Sequence, residues 1–143
     1  MAFQAPEVGL VVSFAYLWSR EQQRGKTEGA KNRPCVIVTA VEEVDGQTVV
    51  TVSPISHSQP EDASSGIEIP PKVKSHLGLD GEKSWVILTE VNRFTWPGYD
   101  LCPISTRDSR VDYGFLPPAL FDQIKAGILT MIRSGMRTTT LRE

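Results

Sequence analysis

Thr27-Glu-Gly-Ala-Lys-Asn-Arg-Pro-Cys-Val-Ile-Val-Thr39 carries a polar, basic loop straight into a run of β-branched apolar residues. Cys35, Val36, Ile37 and Val38 read as a buried strand. Pro34 fixes its own φ and pushes Arg33 towards an extended backbone, so the guanidinium is aimed from the mouth of that strand. A loop that delivers a charge to a rigid strand end is a common way to build a site. A solvated arginine in a hairpin loop is the plainer reading of the same residues.

Working outward, residues 34–44 form one strand and residues 47–56 return as the next. Asp45-Gly46 between them predicts a tight type I′ turn. Val50, Val52 and Pro54 fall on one face of the returning strand by alternation. Upstream, residues 8–17 read as a strand buried on both faces over part of its length. Residues 18–33 form a long polar loop, of a length that more often serves a function than not. Downstream come a polar loop over 56–66 and a short strand over 67–69. A helical turn over 70–77 starts at Pro71 and stops at Gly78. A strand follows over 84–94, broken by Trp96-Pro97-Gly98, and an edge strand over 101–105. Residues 117–133 place Leu120, Phe121, Ile124, Ile128, Met131 and Ile132 on one side of a helix. The expectation is a mainly β protein with α (α+β): a small, strongly bent antiparallel barrel, closed or capped by the C-terminal helix.

The chain has 143 residues, which suits a single domain with its core over about 8–133. The tails 1–7 and 136–143 read as loose. Net charge is -2, so no global basic field points to nucleic acid. The charge is uneven, however. Residues 18–33 hold Arg20, Arg24, Lys26, Lys31 and Arg33 against Glu21 and Glu28, while residues 42–82 are acidic. A local basic loop can still attract a phosphate chain. Cys35 and Cys102 lack metal-ligand spacing and read as small core hydrophobes. The apolar run near the N-terminus is too short to span a membrane, so a cytoplasmic protein is expected.

No P-loop, GxGxxG, GxSxG or Cys/His cluster occurs, and neither a metal nor another cofactor is expected. What remains are polar groups at strand ends. Pairing outward from Asp45-Gly46 brings residues 33–35 opposite Ser56 and His57. Arginine beside a hydroxyl and an imidazole suits a phosphodiester: Arg33 would hold the phosphate, and His57 or Glu28 could move protons. Arg20, Arg24, Lys26 and Lys31, with Glu90, Asn92 and Arg93 after the Trp85 run, are the candidate RNA contacts. His76 reads as surface. Trp18, Trp96 and Tyr99 could stack bases or pack on the core.

These residues resemble the PemK/MazF-like toxins of bacterial type II toxin–antitoxin modules. Gly9 on an early strand, Glu28 five residues before Arg33-Pro34, the Val/Ile strand, and Pro54-Ile55-Ser56 carry the likeness, with the C-terminal helix behind them. It spans roughly residues 8–133. It implies an SH3-like barrel, a homodimer, a cognate antitoxin, and a metal-independent endoribonuclease that uses the 2′-hydroxyl of single-stranded mRNA. By the same likeness Arg33 is the catalytic arginine, Ser56 its Thr/Ser partner and Glu28 the loop acid. The sequence departs from the pattern at Leu10, where many members have Asp, and at Thr89-Glu90-Val91-Asn92-Arg93. A non-catalytic barrel that binds nucleic acid or a protein partner, as in topoisomerase poisoning, is the rival reading.

Overall fold

The run around Arg33 forms β2, Arg33–Glu42, which pairs antiparallel with β3, Thr48–Ser56. The computed structural model describes residues 5–25 and 32–142. Cys35 lies opposite Pro54, and Glu42 opposite Thr48, with a bulge between Ile37 and Thr39. The connection is not the two-residue type I′ turn expected. Gly46 has φ 85°, and no residue other than glycine has positive φ among those described. The Gly46 N–H donates to the Glu43 carbonyl at 3.0 Å, and the Glu43 N–H to the Gln47 carbonyl at 2.7 Å. This is a three-residue loop closed at a glycine, in which Asp45 keeps an ordinary backbone. The Asp45 carboxylate instead accepts the Gln47 N–H at 3.0 Å.

Among the described residues, eight strands, three α-helices and a 3-10 turn over Ala63–Ser65 make the fold α+β and mainly β. β1, Leu10–Phe14, pairs with β2 and with β7, Asp112–Phe115. The far edge of β3 is shared. Its end pairs with β5, Trp85–Ile87, and its start with β6, Glu90–Thr95. β4, Gly66–Glu68, lies on the outer edge of β5. The single strand expected over 84–94 is therefore two. Leu88 leaves the ladder to bury itself in the core, and its N–H donates to the Ser65 carbonyl at 2.9 Å.

Alternation along β1 to β3 buries both faces of the sheet. Val11, Val36, Val38 and Ile55 pack with Leu120, Phe121, Ile124, Ile128 and Met131 of α3, Pro118–Arg133. Leu77 of α2, Pro71–Leu77, completes that side. Leu10, Val12, Phe14, Cys35, Ile37, Val50 and Val52 form the second cluster with Tyr16 and Phe94. There the Phe14 and Phe94 rings stack at 4.6 Å. Ile132, expected to be inside, is 48% exposed, because Ile128 and Met131 take the inward positions of that turn. Both cysteines are free thiols, Cys35 fully buried and Cys102 half-buried. No helix among the described residues is long and apolar enough to cross a membrane.

Two further segments differ from expectation. Residues 101–105 contribute only the isolated bridges Phe14–Leu101 and Ser105–Asp108. The tail read as loose contains β8, Thr138–Leu141, which runs parallel to β6. Arg142 fastens it. Its side chain is 3% exposed, and its guanidinium lies over the Phe14 ring at 5.6 Å. One Nη1 donates to the Ala15 carbonyl at 2.8 Å and to Asn92 Oδ1 at 3.1 Å, and Nη2 meets Asp100 Oδ1 at 2.9 Å. Removing one partner of a buried, hydrogen-bonded ion pair leaves polar groups without compensation. Arg142→Ala should therefore lower stability by about 3 kcal/mol in urea unfolding. A loss below about 1 kcal/mol, the scale of an ordinary surface change, would show that the strap is incidental.

Candidate functional site

Arg33 stands at the first position of β2, opposite Phe14 of β1. On its other side the β2–β3 register carries it to the end of β3. Its Nη1 lies 3.4 Å from the Ile55 carbonyl, a long hydrogen bond. Its Nε is buried and has no hydrogen-bond partner. The guanidinium sits over the Trp18 ring at 5.0 Å, and that of Arg20 lies over the same ring at 5.2 Å. Cation–π contacts of this kind hold a planar cation without using its N–H groups. Of those of Arg33, Nη1 is engaged only by the long contact with Ile55, and Nε is buried.

The position of Trp18 is itself built. The stretch read as a long polar loop contains α1, Ser19–Gln23, whose described residues include none that is buried. β6 pins its entry instead. Glu90 Oε1 accepts the Tyr16 hydroxyl at 3.1 Å and the Ser19 N–H at 3.0 Å. The Asn92 side chain accepts the Leu17 N–H and donates to the Leu17 carbonyl, each at 2.9 Å. Glu21 Oε1 accepts the Trp18 N–H at 3.2 Å. Burial, then the Glu90 charge, pushes the Tyr16 phenol up, and burial pushes the Cys35 thiol up. Both stay neutral and serve packing.

Asn92 is thus a correction. It is fully buried and clamps the chain at Leu17, so it does not face a ligand. Glu90, half-buried, is engaged in the same clamp. Arg93 lies apart, with Nε 3.5 Å from Thr51 Oγ1. Arg20 and Arg24 are exposed at α1. Glu28, Lys26 and Lys31 lie outside the described residues.

Beyond the end of β3, His57 and Arg33 line one cleft of about 190 Å³, with Pro34, Ile55, Lys74 and Asp80 among its walls. Ser56 is half-buried and is not in that wall; its hydroxyl accepts the Ser58 N–H at 3.1 Å. His57 Nε2 lies 2.8 Å from Asp80 Oδ2, and Nδ1 lies 3.6 Å from Glu82 Oε2. Asp80 Oδ1 is 2.8 Å from the Nζ of Lys74, a buried lysine that also donates to Ser84 Oγ at 2.7 Å and to the Glu82 carbonyl. The ligand atoms of His57, Asp80 and Glu82 fall within 4.8 Å of one another, a spacing a cation could bridge. Lys74 already answers the Asp80 charge, and the group reads as an ion-paired network.

The structure therefore brings Arg33 and His57 together and adds Trp18, Lys74 and Asp80. The last two were missed. The available signal was the three-residue spacing of Lys74 and Leu77, which puts the lysine on the buried face of α2. No family model matches the chain, and no curated protein matches it.

The hydrogen bond from Lys74, against a smaller opposing effect of burial, and then the hydrogen bond from the Glu82 backbone and the electrostatic influence of His57 and Lys74 hold the Asp80 carboxyl below its usual range. Such a group stabilises the fold above its unfolded value near pH ~4, and the gain is lost as pH falls through the lower folded value. Asp80→Asn should cost about 1–2 kcal/mol at pH 7, after allowance for an exposed carboxylate. The gap between the two proteins should close in unfolding curves taken below pH ~4. A gap that stays constant with pH would show that the carboxylate charge is not what holds Lys74.

Proposed function

We propose that this chain is a PemK/MazF-like toxin on a strongly bent, SH3-like barrel, acting as a metal-independent endoribonuclease on single-stranded mRNA. The carrying observation is Arg33 at the junction of β2 and the end of β3, its guanidinium over Trp18 and its cleft shared with His57. Nothing in the reaction requires a bound ion. The nucleophile is the substrate's own 2′-hydroxyl, and Arg33 supplies the positive charge that the phosphorane-like transition state needs. Products would be a 2′,3′-cyclic phosphate and a 5′-hydroxyl. Ser56, which precedes His57 in the chain and lies outside the wall of the cleft, would have to turn its hydroxyl from the Ser58 N–H to orient the phosphate. Trp18 and Arg20 offer an aromatic and a charged surface to the neighbouring nucleotide.

The same reading carries two partners. One is a second copy of the chain, and the exposed apolar residues Val8, Val41, Leu129 and Ile132 beside a groove between β2 and α3 support it. The other is a cognate antitoxin that covers the RNA site.

Purified protein incubated with a long RNA in EDTA should cut it. Arg33→Ala, and equally Arg33→Lys, should lower the rate by roughly 100-fold or more, since lysine does not reproduce the planar fork. Parent-rate cleavage by a folded Arg33→Ala protein would remove the site from this strand junction. Tight RNA binding without any cleavage would instead favour the non-catalytic barrel.

A further inference from the structure

The phosphate-binding role of Arg33 leaves one chain of contacts in the cleft unused. Lys74 is 5% exposed, at the core-facing side of a short helix. Its ammonium and the Glu82 N–H, at 2.8 Å and 3.1 Å, both donate to Asp80 Oδ1. One oxygen of an otherwise exposed carboxylate is thereby fixed, and the other is presented to His57 Nε2 at 2.8 Å. A carboxylate that only needed to neutralise a buried lysine would not also have to aim at an imidazole.

We infer that His57 is the general base of the cleavage step and that Asp80, anchored by Lys74, is its positioning residue. This rests on the ribonuclease reading above. Which ring nitrogen of a neutral histidine carries the proton is set by the hydrogen bond that nitrogen makes. In the neutral ring that this step requires, the 2.8 Å contact makes Nε2–H the donor to Asp80 and leaves the lone pair on Nδ1. Glu82 Oε2 stands 3.6 Å from Nδ1, beyond a direct hydrogen bond, so Nδ1 is not committed. The charged groups around the ring are Asp80 and Glu82 from the loop after α2, Lys74 behind them, and Arg33 across the cleft.

The step then balances as follows. Nδ1 takes the proton of the substrate 2′-hydroxyl as the 2′-oxygen bonds to phosphorus. The bond from phosphorus to the 5′-oxygen breaks, its electron pair stays on that oxygen, and a water molecule protonates it. The hydroxide so formed is neutralised by the proton that the imidazolium gives back. No water is consumed, and no oxidant or cofactor enters.

The test is steady-state cleavage of RNA in EDTA by the unaltered protein and by His57→Ala, Asp80→Asn and Arg33→Ala, each checked for folding by circular dichroism. His57→Ala should lower kcat by about 100-fold or more and leave KM within about twofold. Added imidazole should restore part of that rate. Asp80→Asn should lower kcat by about 10-fold or more, with no response to imidazole because the ring is still in place. Asp80→Glu keeps the charge that Lys74 needs, and it should also lose kcat if Asp80→Asn does not fold. A His57→Ala protein that cleaves at the parent rate, or whose loss imidazole does not relieve, overturns the assignment of the base while Arg33→Ala still reports on the site. Unchanged kcat in folded Asp80→Asn or Asp80→Glu overturns the positioning role. Intact RNA with the unaltered protein overturns the ribonuclease reading and this inference with it.

Discussion

β3 has to satisfy three partners on two edges, and that constraint sets most of what surrounds it. One edge pairs with β2. On the other, Ile55 lies opposite Val86, while Val52 lies opposite Asn92. Four residues of β3, 52–55, thus face the seven from 86 to 92, and the excess is expelled from the ladder around Leu88. The break has consequences in both directions. Leu88 drops into the core beneath α3. Glu90 and Asn92 re-enter the ladder where they can hold residues 16–19. Trp18 reaches Arg33 because of that hold, and His57 emerges where β3 ends. A mismatch in one strand pairing thus positions both walls of the candidate site.

The parts of the fold legible in the sequence are those fixed by local periodicity. β1, β2, β3 and α3 each carry enough apolar residues at the right spacing to declare a buried face, and their bounds fall within a few residues of expectation. α2, bounded by Pro71 and Gly78, and the short strand β4 were legible from local signals as well, whereas α1, β8 and the division of the 84–94 run are set by contacts distant in sequence. α1 buries none of its residues and depends on carboxylate and amide acceptors supplied some seventy positions later. β8 is Thr-Thr-Thr-Leu, which announces nothing, and its neighbour Arg142 reaches an atom 127 positions away. The 84–94 run looked continuous because it holds no glycine or proline and is led by Trp85-Val86-Ile87-Leu88; the competition for the edge of β3 divides it.

The site shows the same division. The meeting of Arg33 with the end of β3 follows from hairpin register, and it survives both the bulge at Ile37 and a turn type different from the expected one. The two irregularities each shift the same ladder by one residue in the same sense, so Cys35 lies opposite Pro54 rather than Ser56, and Arg33 still falls at the end of β3. Asn92 was the opposite case. A polar residue in a strand that ends near a basic loop invites a binding role, yet its amide satisfies both the N–H and the carbonyl of Leu17 in a buried place.

Two buried cations, Lys74 and Arg142, have comparable costs of removal from water and different surroundings. The Arg142 partners are the Ala15 carbonyl, the buried Asn92 amide oxygen and the half-buried Asp100 carboxylate, so its geometry is closed and its role is to hold β8 and the 15–17 segment together. Lys74 has two acceptors inside, Ser84 Oγ and the Glu82 carbonyl, and one outside, Asp80, whose second oxygen faces the solvent side. A lysine meant only to close a core would be better served by an apolar residue of its own volume, since burying a paired charge seldom gains stability over a packed side chain. The arrangement makes physical sense if what matters is the orientation of the Asp80 carboxylate. Long flexible side chains at a surface lose rotamer entropy when they are held in one geometry. Anchoring the carboxylate from beneath, with a cation that is already immobilised by packing, lets an exposed imidazole be oriented at a smaller entropic cost than two free surface groups would incur.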